Sequence, residues 1–149
     1  MAVLETEIRP SCVDELLAKA GSLIAEHGQE VDGAPPKPHH LRYLALEQHG
    51  ALTILAAWDG GEIVGYSVLS VSLDLNREDV TIAHCNAIFV LPSHRRGGLG
   101  HRLMGETIAA AKAQGATEFY CHAAPGTAMD HLLSARRWQL HQNLYRRAI

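Results

Sequence analysis

Residues 89–100 read FVLPSHRRGGLG and join a predicted strand to a predicted helix. The strand, residues 80–91, is rich in aliphatic and β-branched side chains and stops at Pro92. The helix is expected to begin near Gly98 and to end at Gly115, because glycine commonly terminates helices. Strand, proline, arginines, glycines and helix in this order are typical of a loop that binds an anion.

The charges around the start of this helix support an anion site. A helix start leaves backbone N–H groups without partners and carries about half a positive charge. No acidic residue occurs there before Glu106, and basic residues surround it: Arg95, Arg96, His101 and Arg102. Glycines at 97, 98 and 100 let a ligand approach the amides. A phosphate or pyrophosphate would balance this charge, and the alternative is a solvated loop with incidental arginines.

This stretch resembles the cofactor motif of the GNAT acetyltransferases, R/Q-x-x-G-x-G/A, with Arg95, Gly98 and Gly100 at the fixed positions. The sequence has no GxGxxG after its first strand and no Gly-Lys-Ser/Thr, which argues against Rossmann and P-loop folds. The resemblance covers nearly the whole chain and implies an α/β (α+β) GNAT fold. Such a fold has a mixed central sheet of about six to seven strands with a splayed middle strand, flanked by about four helices.

Hydrophobic periodicity predicts the order strand, two helices, three strands, helix, strand, helix, strand. The strands are predicted at residues 3–8, 52–58, 63–73, 80–91, 117–123 and 138–147. The first helix is expected to follow an N-cap at Ser11 and to end at Gly28, and the second to span residues 39–48. Thr127 is expected to cap the last helix together with Asp130. The length suits a single domain, residues 1–149.

Composition excludes several other classes of protein. The chain is 47% hydrophobic and 19% charged, which argues against disorder. No apolar run reaches the ~20 residues of a membrane span, and the first residues lack the plan of a signal peptide. A soluble cytoplasmic protein without a membrane partner is expected. The net charge of −3 gives no support to nucleic-acid binding, and neither the three cysteines nor His39-His40 has the spacing of a metal site.

The resemblance implies that acetyl-CoA, or a related short acyl-CoA, is the acyl donor. In such enzymes the backbone from Arg96 to His101 holds the pyrophosphate, and the pantetheine arm pairs with residues 87–90 as an extra strand would. A backbone N–H near Ile88 would meet the oxyanion. The residues predicted to bind the cofactor are Ile88, Phe89, Val90, Arg95, Arg96, Gly97, Gly98, Leu99, Gly100 and His101.

An amine acceptor must lose a proton before it attacks, because an alkylammonium has a pKa near ~10.4. His84 is the candidate general base: it lies eleven residues before Arg95, where some GNAT enzymes carry a glutamate. The alternative is an ordinary hydrogen-bonded histidine. Leu133 stands where many members carry a tyrosine, so Tyr145 becomes the candidate acid and Tyr120 a substitute by type, although each could be a plain strand residue.

The leading hypothesis is therefore an acyl-CoA-dependent N-acyltransferase that transfers acetyl to a primary amine by direct attack in a ternary complex. The acceptor, a small molecule or a peptide amine, is not specified, and residues 31–43 are expected to help shape its site. A CoA-binding sensor or accessory protein with degenerate catalysis is the alternative, and a structural interaction domain is a weaker one. Homodimers are common among related folds, but no sequence feature demonstrates one here.

Overall fold

The computed structural model describes residues 5–34, 36–135 and 138–149, and a mixed sheet of five strands runs through its centre. The strand order is β1-β2-β3-β4-β5, with antiparallel pairs from β1 to β4 and a parallel β5 at the edge. The strands are β1 (Glu7–Ser11), β2 (Leu52–Asp59), β3 (Glu62–Leu73), β4 (Thr81–Val90) and β5 (Glu118–Cys121).

Helices cover both faces of this sheet, which explains why β2 and β3 are long, nearly unbroken runs of buried side chains. The helices are α1 (Val13–Lys19), α2 (Gly21–Asp32), α3 (His40–Gln48), α4 (Leu99–Ala113) and α5 (Ala128–Ala135), and a 3-10 helix, Pro92–Gly97, precedes α4. The first three pack on one face, and α4 and α5 pack on the other. None of these helices combines the length and hydropathy needed to cross a membrane.

The middle strand β4 is splayed, as the resemblance implied. It pairs with β3 along its length, but within the described residues it pairs with β5 only from Ile82 to Cys85. At the point of divergence Asn86 is an extra residue in the register with β3, which makes a β-bulge. The Asn86 side-chain amide donates to Ser70 Oγ at 2.8 Å, and beyond it Val90 ends a half-strand with no β5 partner.

The end of the chain differs from its prediction. The sheet has five strands instead of six to seven, and the predicted strand 138–147 is wrong, because residues 138–149 have no regular secondary structure. A strand needs an edge to pair with, and β5 offers only four residues. Leu140, Leu144 and Tyr145 are consequently 83%, 83% and 85% exposed. The first strand also begins later, at Glu7, and residues 3 and 4 of its predicted range lie outside the described residues.

The first predicted helix is two helices, α1 and α2, which meet at Ala20, so the described residues form five α-helices instead of about four. Cys12 is the N-cap in place of Ser11, and its Sγ accepts from the Glu15 amide at 3.5 Å. Gly28 does not end the helix. The helix α2 continues to Asp32, and Gly28 is instead a site of close approach, where a Cβ would clash with the Pro36 ring.

The helix α4 agrees with its prediction. Gly98 precedes it with a positive φ of 79°, a conformation that favours glycine, and Gly115 follows its end with a φ of 85°. A buried hydrogen bond of 2.7 Å joins Thr107 of α4 to Ser67 of β3. This hydrogen bond holds α4 in place along its axis relative to the sheet, and it therefore helps to set the position of the first turn of α4.

Candidate active site

A cavity of about 200 Å³ lies where β4 diverges, beside the start of α4; we call it the α4 cavity. The end of β4 forms one wall, and α2 and α5 close the other sides. The residues around it include Ile88, Phe89, Val90, Arg95, Gly100, His101, His27, Glu30, Met129 and Leu132. The cavity is thus built from five separate elements that meet at the splay.

The start of α4 has the properties of an anion site. Its first turn, which the structure describes completely, contains no acidic residue and no side-chain cap. A Cβ built at Gly97, Gly98 or Gly100 would meet nothing within 4 Å, so the space beside these backbone amides is open. Unpaired helix-start amides in open space bind phosphate groups well.

Three of the four basic residues near this helix start already interact with other groups of the protein, and His101 is one of them. The Arg95 side chain donates from Nε to the Val90 carbonyl at 2.8 Å and from Nη2 to Glu30 Oε2 at 2.7 Å. Arg102 donates to the Thr6 carbonyl at 2.7 Å. Arg96 is exposed and forms no hydrogen bond or ion pair with a described residue. The charge excess is therefore smaller than the sequence indicates.

Six of the ten residues predicted to bind the cofactor line the α4 cavity: Ile88, Phe89, Val90, Arg95, Gly100 and His101. The other four are Arg96, Gly97, Gly98 and Leu99. Leu99 is only 3% exposed and packs into the core, where it anchors the helix start. The structure thus brings most of the predicted set to one place.

A second cavity, of about 360 Å³, lies under α1, α2 and α3; we call it the α2 cavity. Its walls are mainly apolar and include Leu16, Leu17, Ile24, Ile54 and Val68. Tyr43, Tyr66, Asn86 and Asp32 supply polar groups. The loop after α2 contributes Pro36, Lys37 and Pro38, so part of the segment 31–43 lies at this cavity.

His27 of α2 lines both cavities, and sequence analysis missed it. Its Nδ1 lies 2.6 Å from the Tyr66 hydroxyl, and its ring stacks on Phe89 with centroids 4.8 Å apart. Burial lowers the pKa of His27 and raises the pKa of Tyr66, so both groups are held in their neutral forms. No local pattern in the sequence marks these residues, and the packing of α2 against the sheet brings His27 to Tyr66 of β3.

His84, the predicted base, lines neither of the two cavities. It precedes the bulge in β4, and its ring centroid is 5.5 Å from that of Tyr120 and 6.5 Å from that of His122. Burial, and secondarily His122, lower the pKa of His84. Its position close to the splay keeps the prediction of a catalytic role open.

The tyrosine candidates occupy different surroundings. Tyr145, the predicted acid, lies in the irregular tail and is exposed. The Tyr120 hydroxyl donates to Glu118 Oε2 at 2.6 Å, a bond that raises the pKa of Tyr120. Leu133 packs against the core on the α4 side of the sheet. Among the described residues, no group of three or more His, Cys, Asp or Glu is arranged to hold a metal ion.

Comparison with known proteins gives a consistent result. The sequence model of the acetyltransferase (GNAT) family matches residues 18–136. No curated protein matches the chain significantly. The ribosomal-protein-alanine N-acetyltransferase from Brucella melitensis biovar Abortus 2308 superimposes with a TM-score of 0.75 at 16% identity, covering 97% of this chain and 99% of that chain.

Two further solved structures share the fold. AAC(6')-Iy in complex with the bisubstrate analog CoA-S-monomethyl-acetylneamine has a TM-score of 0.70 at 18% identity, with 97% of this chain and 99% of that chain covered. Glucosamine-6-phosphate N-acetyltransferase from Arabidopsis thaliana has a TM-score of 0.72 at 11% identity, with 95% and 98% covered. At these identities the likeness concerns the fold.

Proposed function

This chain belongs to the acetyltransferase (GNAT) family, and we propose that it transfers an acetyl group from acetyl-CoA to a primary amine by direct attack in a ternary complex. Membership of the family supports acetyl transfer in general. The observation that carries the proposal is the open, glycine-lined start of α4, which adjoins the unpaired half of β4 in one cavity. A pyrophosphate joined to an extended, amide-bearing arm fits that combination.

Different residues in and beside the α4 cavity would bind different parts of acetyl-CoA. The backbone amides of residues 96–101 and the exposed Arg96 would hold the pyrophosphate. Residues 88–90 would pair with the amides of the pantetheine arm, since β5 leaves that side of β4 open. Bound acetyl-CoA supplies a thioester carbonyl, and the backbone N–H of Ile88 would stabilise the negative charge that develops on its oxygen.

The α2 cavity is the proposed site of the acceptor amine. His27 borders both cavities, so an acceptor held in the α2 cavity would lie beside the site proposed for the acyl group. Its largely apolar walls favour an amine attached to an apolar group. The sequence alone predicts His84 as the base and Tyr145 as the acid, and neither residue lines either of the two described cavities.

A substitution in the first turn of α4 tests the cofactor site. Gly100→Glu places a carboxylate where the pyrophosphate would sit, and we expect acetyl-CoA to bind at least about tenfold more weakly because like charges repel. The same change should not harm the fold, since Glu is a better helix former than Gly by about 0.5–1 kcal/mol and suits a helix start. Isothermal titration calorimetry measures the affinity.

Gly105→Glu is the matched control. It makes the same replacement in the same helix at an exposed position with nothing within 4 Å, outside the α4 cavity, and should leave affinity unchanged. Acetyl-CoA at 100 times its Kd should stabilise the wild type by about 2.7 kcal/mol. Equal affinity in wild type and Gly100→Glu, or no binding at all, would contradict the proposal.

One observation favours a second function. Leu133 stands where many family members carry a tyrosine and is packed against the core, so this chain has no acid at that position. A CoA-binding sensor or accessory protein would need none. Such a protein would bind acetyl-CoA with normal affinity and release no thiol with any amine, whereas the proposed enzyme releases CoA thiol in the presence of its acceptor.

A further inference from the structure

We propose that His27, oriented by Tyr66, is the general base that takes the proton from the acceptor amine; this inference rests on the proposed acetyl transfer. His27 is the polar, titratable group that borders both the α4 cavity and the α2 cavity. A base for this reaction must stand where the amine and the thioester meet. The only other residue common to the two described linings is Val31, which has no titratable group.

The surroundings of His27 fix its ring. Stacking on Phe89, with an interplanar angle of 20°, and the 2.6 Å bond to Tyr66 leave little freedom of rotation. In the tautomer that the proposal requires, Nδ1–H donates to the Tyr66 oxygen, and the lone pair of Nε2 is available to the amine. Tyr66 is therefore a positioning residue, since it selects the ring nitrogen that accepts the proton.

The charges around His27 suit a base that is neutral at rest and accepts a proton during the reaction. Burial lowers its pKa, and Arg95 acts in the same direction. Glu30 and Asp32, on its own helix, act in the opposite direction and would stabilise the imidazolium once it forms. Burial keeps the hydrogen-bonded neighbour Tyr66 protonated, and Tyr43, Lys37 and His101 also border the two cavities.

The proposed step conserves atoms and charge. Nε2 of His27 takes one proton from the acceptor ammonium and later returns it to solvent. The freed nitrogen lone pair forms the C–N bond at the acyl carbon, and the C–S bond breaks. The nitrogen then loses a second proton, which leaves with the sulfur as the free thiol. No oxidant, metal or further reactant is required.

Substitution of His27 tests this role. His27→Gln should lower kcat/KM for the amine by about 100-fold, the lower end of what general-base catalysis contributes. The acidic limb of the pH–rate profile should disappear with it, while calorimetry should give an unchanged Kd for acetyl-CoA. Added imidazole should restore part of the rate in His27→Ala, because that variant leaves space for a small base.

Three further variants complete the comparison. His49→Gln removes an exposed histidine that lines neither cavity and should retain the wild-type rate. Tyr66→Phe should lower kcat by about fivefold to tenfold, as the loss of one orienting hydrogen bond predicts, without changing the Kd of acetyl-CoA. His84→Ala should lose less activity than His27→Gln, since His84 lies outside both cavities.

The outcomes separate this inference from the function on which it rests. A wild-type protein that turns over amines while His27→Gln retains its rate and its acidic limb overturns the role of His27 alone. A larger loss in His84→Ala than in His27→Gln overturns it as well. A wild-type protein that binds acetyl-CoA and releases no thiol with any amine, at any pH, overturns both proposals together.

Discussion

The α4 cavity and the α2 cavity share a wall at His27 but are built from different materials. The first combines main chain, at the start of α4 and along the unpaired half of β4, with side chains of α2 and α5 such as Glu30 and Met129. The second is made from side chains of three helices, three strands and a loop. A site made of backbone amides can be predicted from a short motif, because glycines in the sequence mark exposed main chain. A cavity lined by side chains from distant elements cannot be predicted in this way.

Because they are built differently, the two cavities select different kinds of ligand. Backbone amides at a helix start recognise a phosphate group whatever molecule carries it. Apolar side chains, with Tyr43, Tyr66 and Asp32 among them, recognise shape and the position of a single positive charge. Substitutions that affect only one of the two properties test whether the cavities act independently.

Filling the α2 cavity should have the largest effect of the three changes considered next. Leu17→Trp adds bulk to its apolar wall, and we expect kcat/KM for the amine to fall by about tenfold or more as the acceptor is excluded. Overpacking should lower the free energy of unfolding by about 1–3 kcal/mol. Affinity for acetyl-CoA, measured by calorimetry, should stay at the wild-type value. A parallel loss of cofactor binding would contradict the assignment of acceptor and cofactor to separate cavities.

Removing a negative charge from the α4 cavity should have a smaller effect of opposite sign. Glu30 lies at this cavity and pairs with Arg95 at 2.7 Å. Glu30→Gln lowers the repulsion of a polyanion and releases Arg95, so we expect acetyl-CoA to bind about twofold to threefold more tightly. The gain should shrink at high salt, since these groups are partly exposed. Weaker binding would show that the Arg95–Glu30 pair shapes the cavity.

The smallest effect concerns stability at the shared wall. The pKa of His27 is lowered by burial, so the unfolded chain takes up a proton near pH ~6.5 before the folded chain does. The unfolded state then binds more protons, and the free energy of unfolding must decrease as pH falls below about 6.5. His27→Gln should flatten this decrease in urea titrations, while His49→Gln should keep it. A steeper decrease in His27→Gln would contradict the assignment.

The sequence predicts helices and strands correctly where residues close together in the chain determine them. The boundary at Gly98, the helix α4 and the ranges of β2 and β3 all follow from periodicity and turn residues. Six of the residues predicted to bind the cofactor line one cavity, and their binding role stays a prediction. Each of these features depends on neighbours within a few positions along the chain.

The sequence-based predictions are wrong where residues that are far apart in the chain determine the structure. Gly28 was expected to end a helix, and nothing nearby indicates that it must admit Pro36 instead. The tail was expected to form a strand because its composition allows one, but the short β5 offers no adequate edge. His27 and Tyr66 lie 39 positions apart, and their hydrogen bond forms because α2 packs on the face of the sheet that carries Tyr66.

The contact between Gly28 and Pro36 has a consequence for how this protein could change. The helix that carries His27 and the loop that borders the α2 cavity touch backbone to ring, with no side chain between them to absorb a displacement. A new loop sequence suited to another acceptor would therefore push directly on the helix beneath it. With the roles proposed for His27 and the α2 cavity, a change in substrate range would also change the catalytic rate unless residue 28 changed with it.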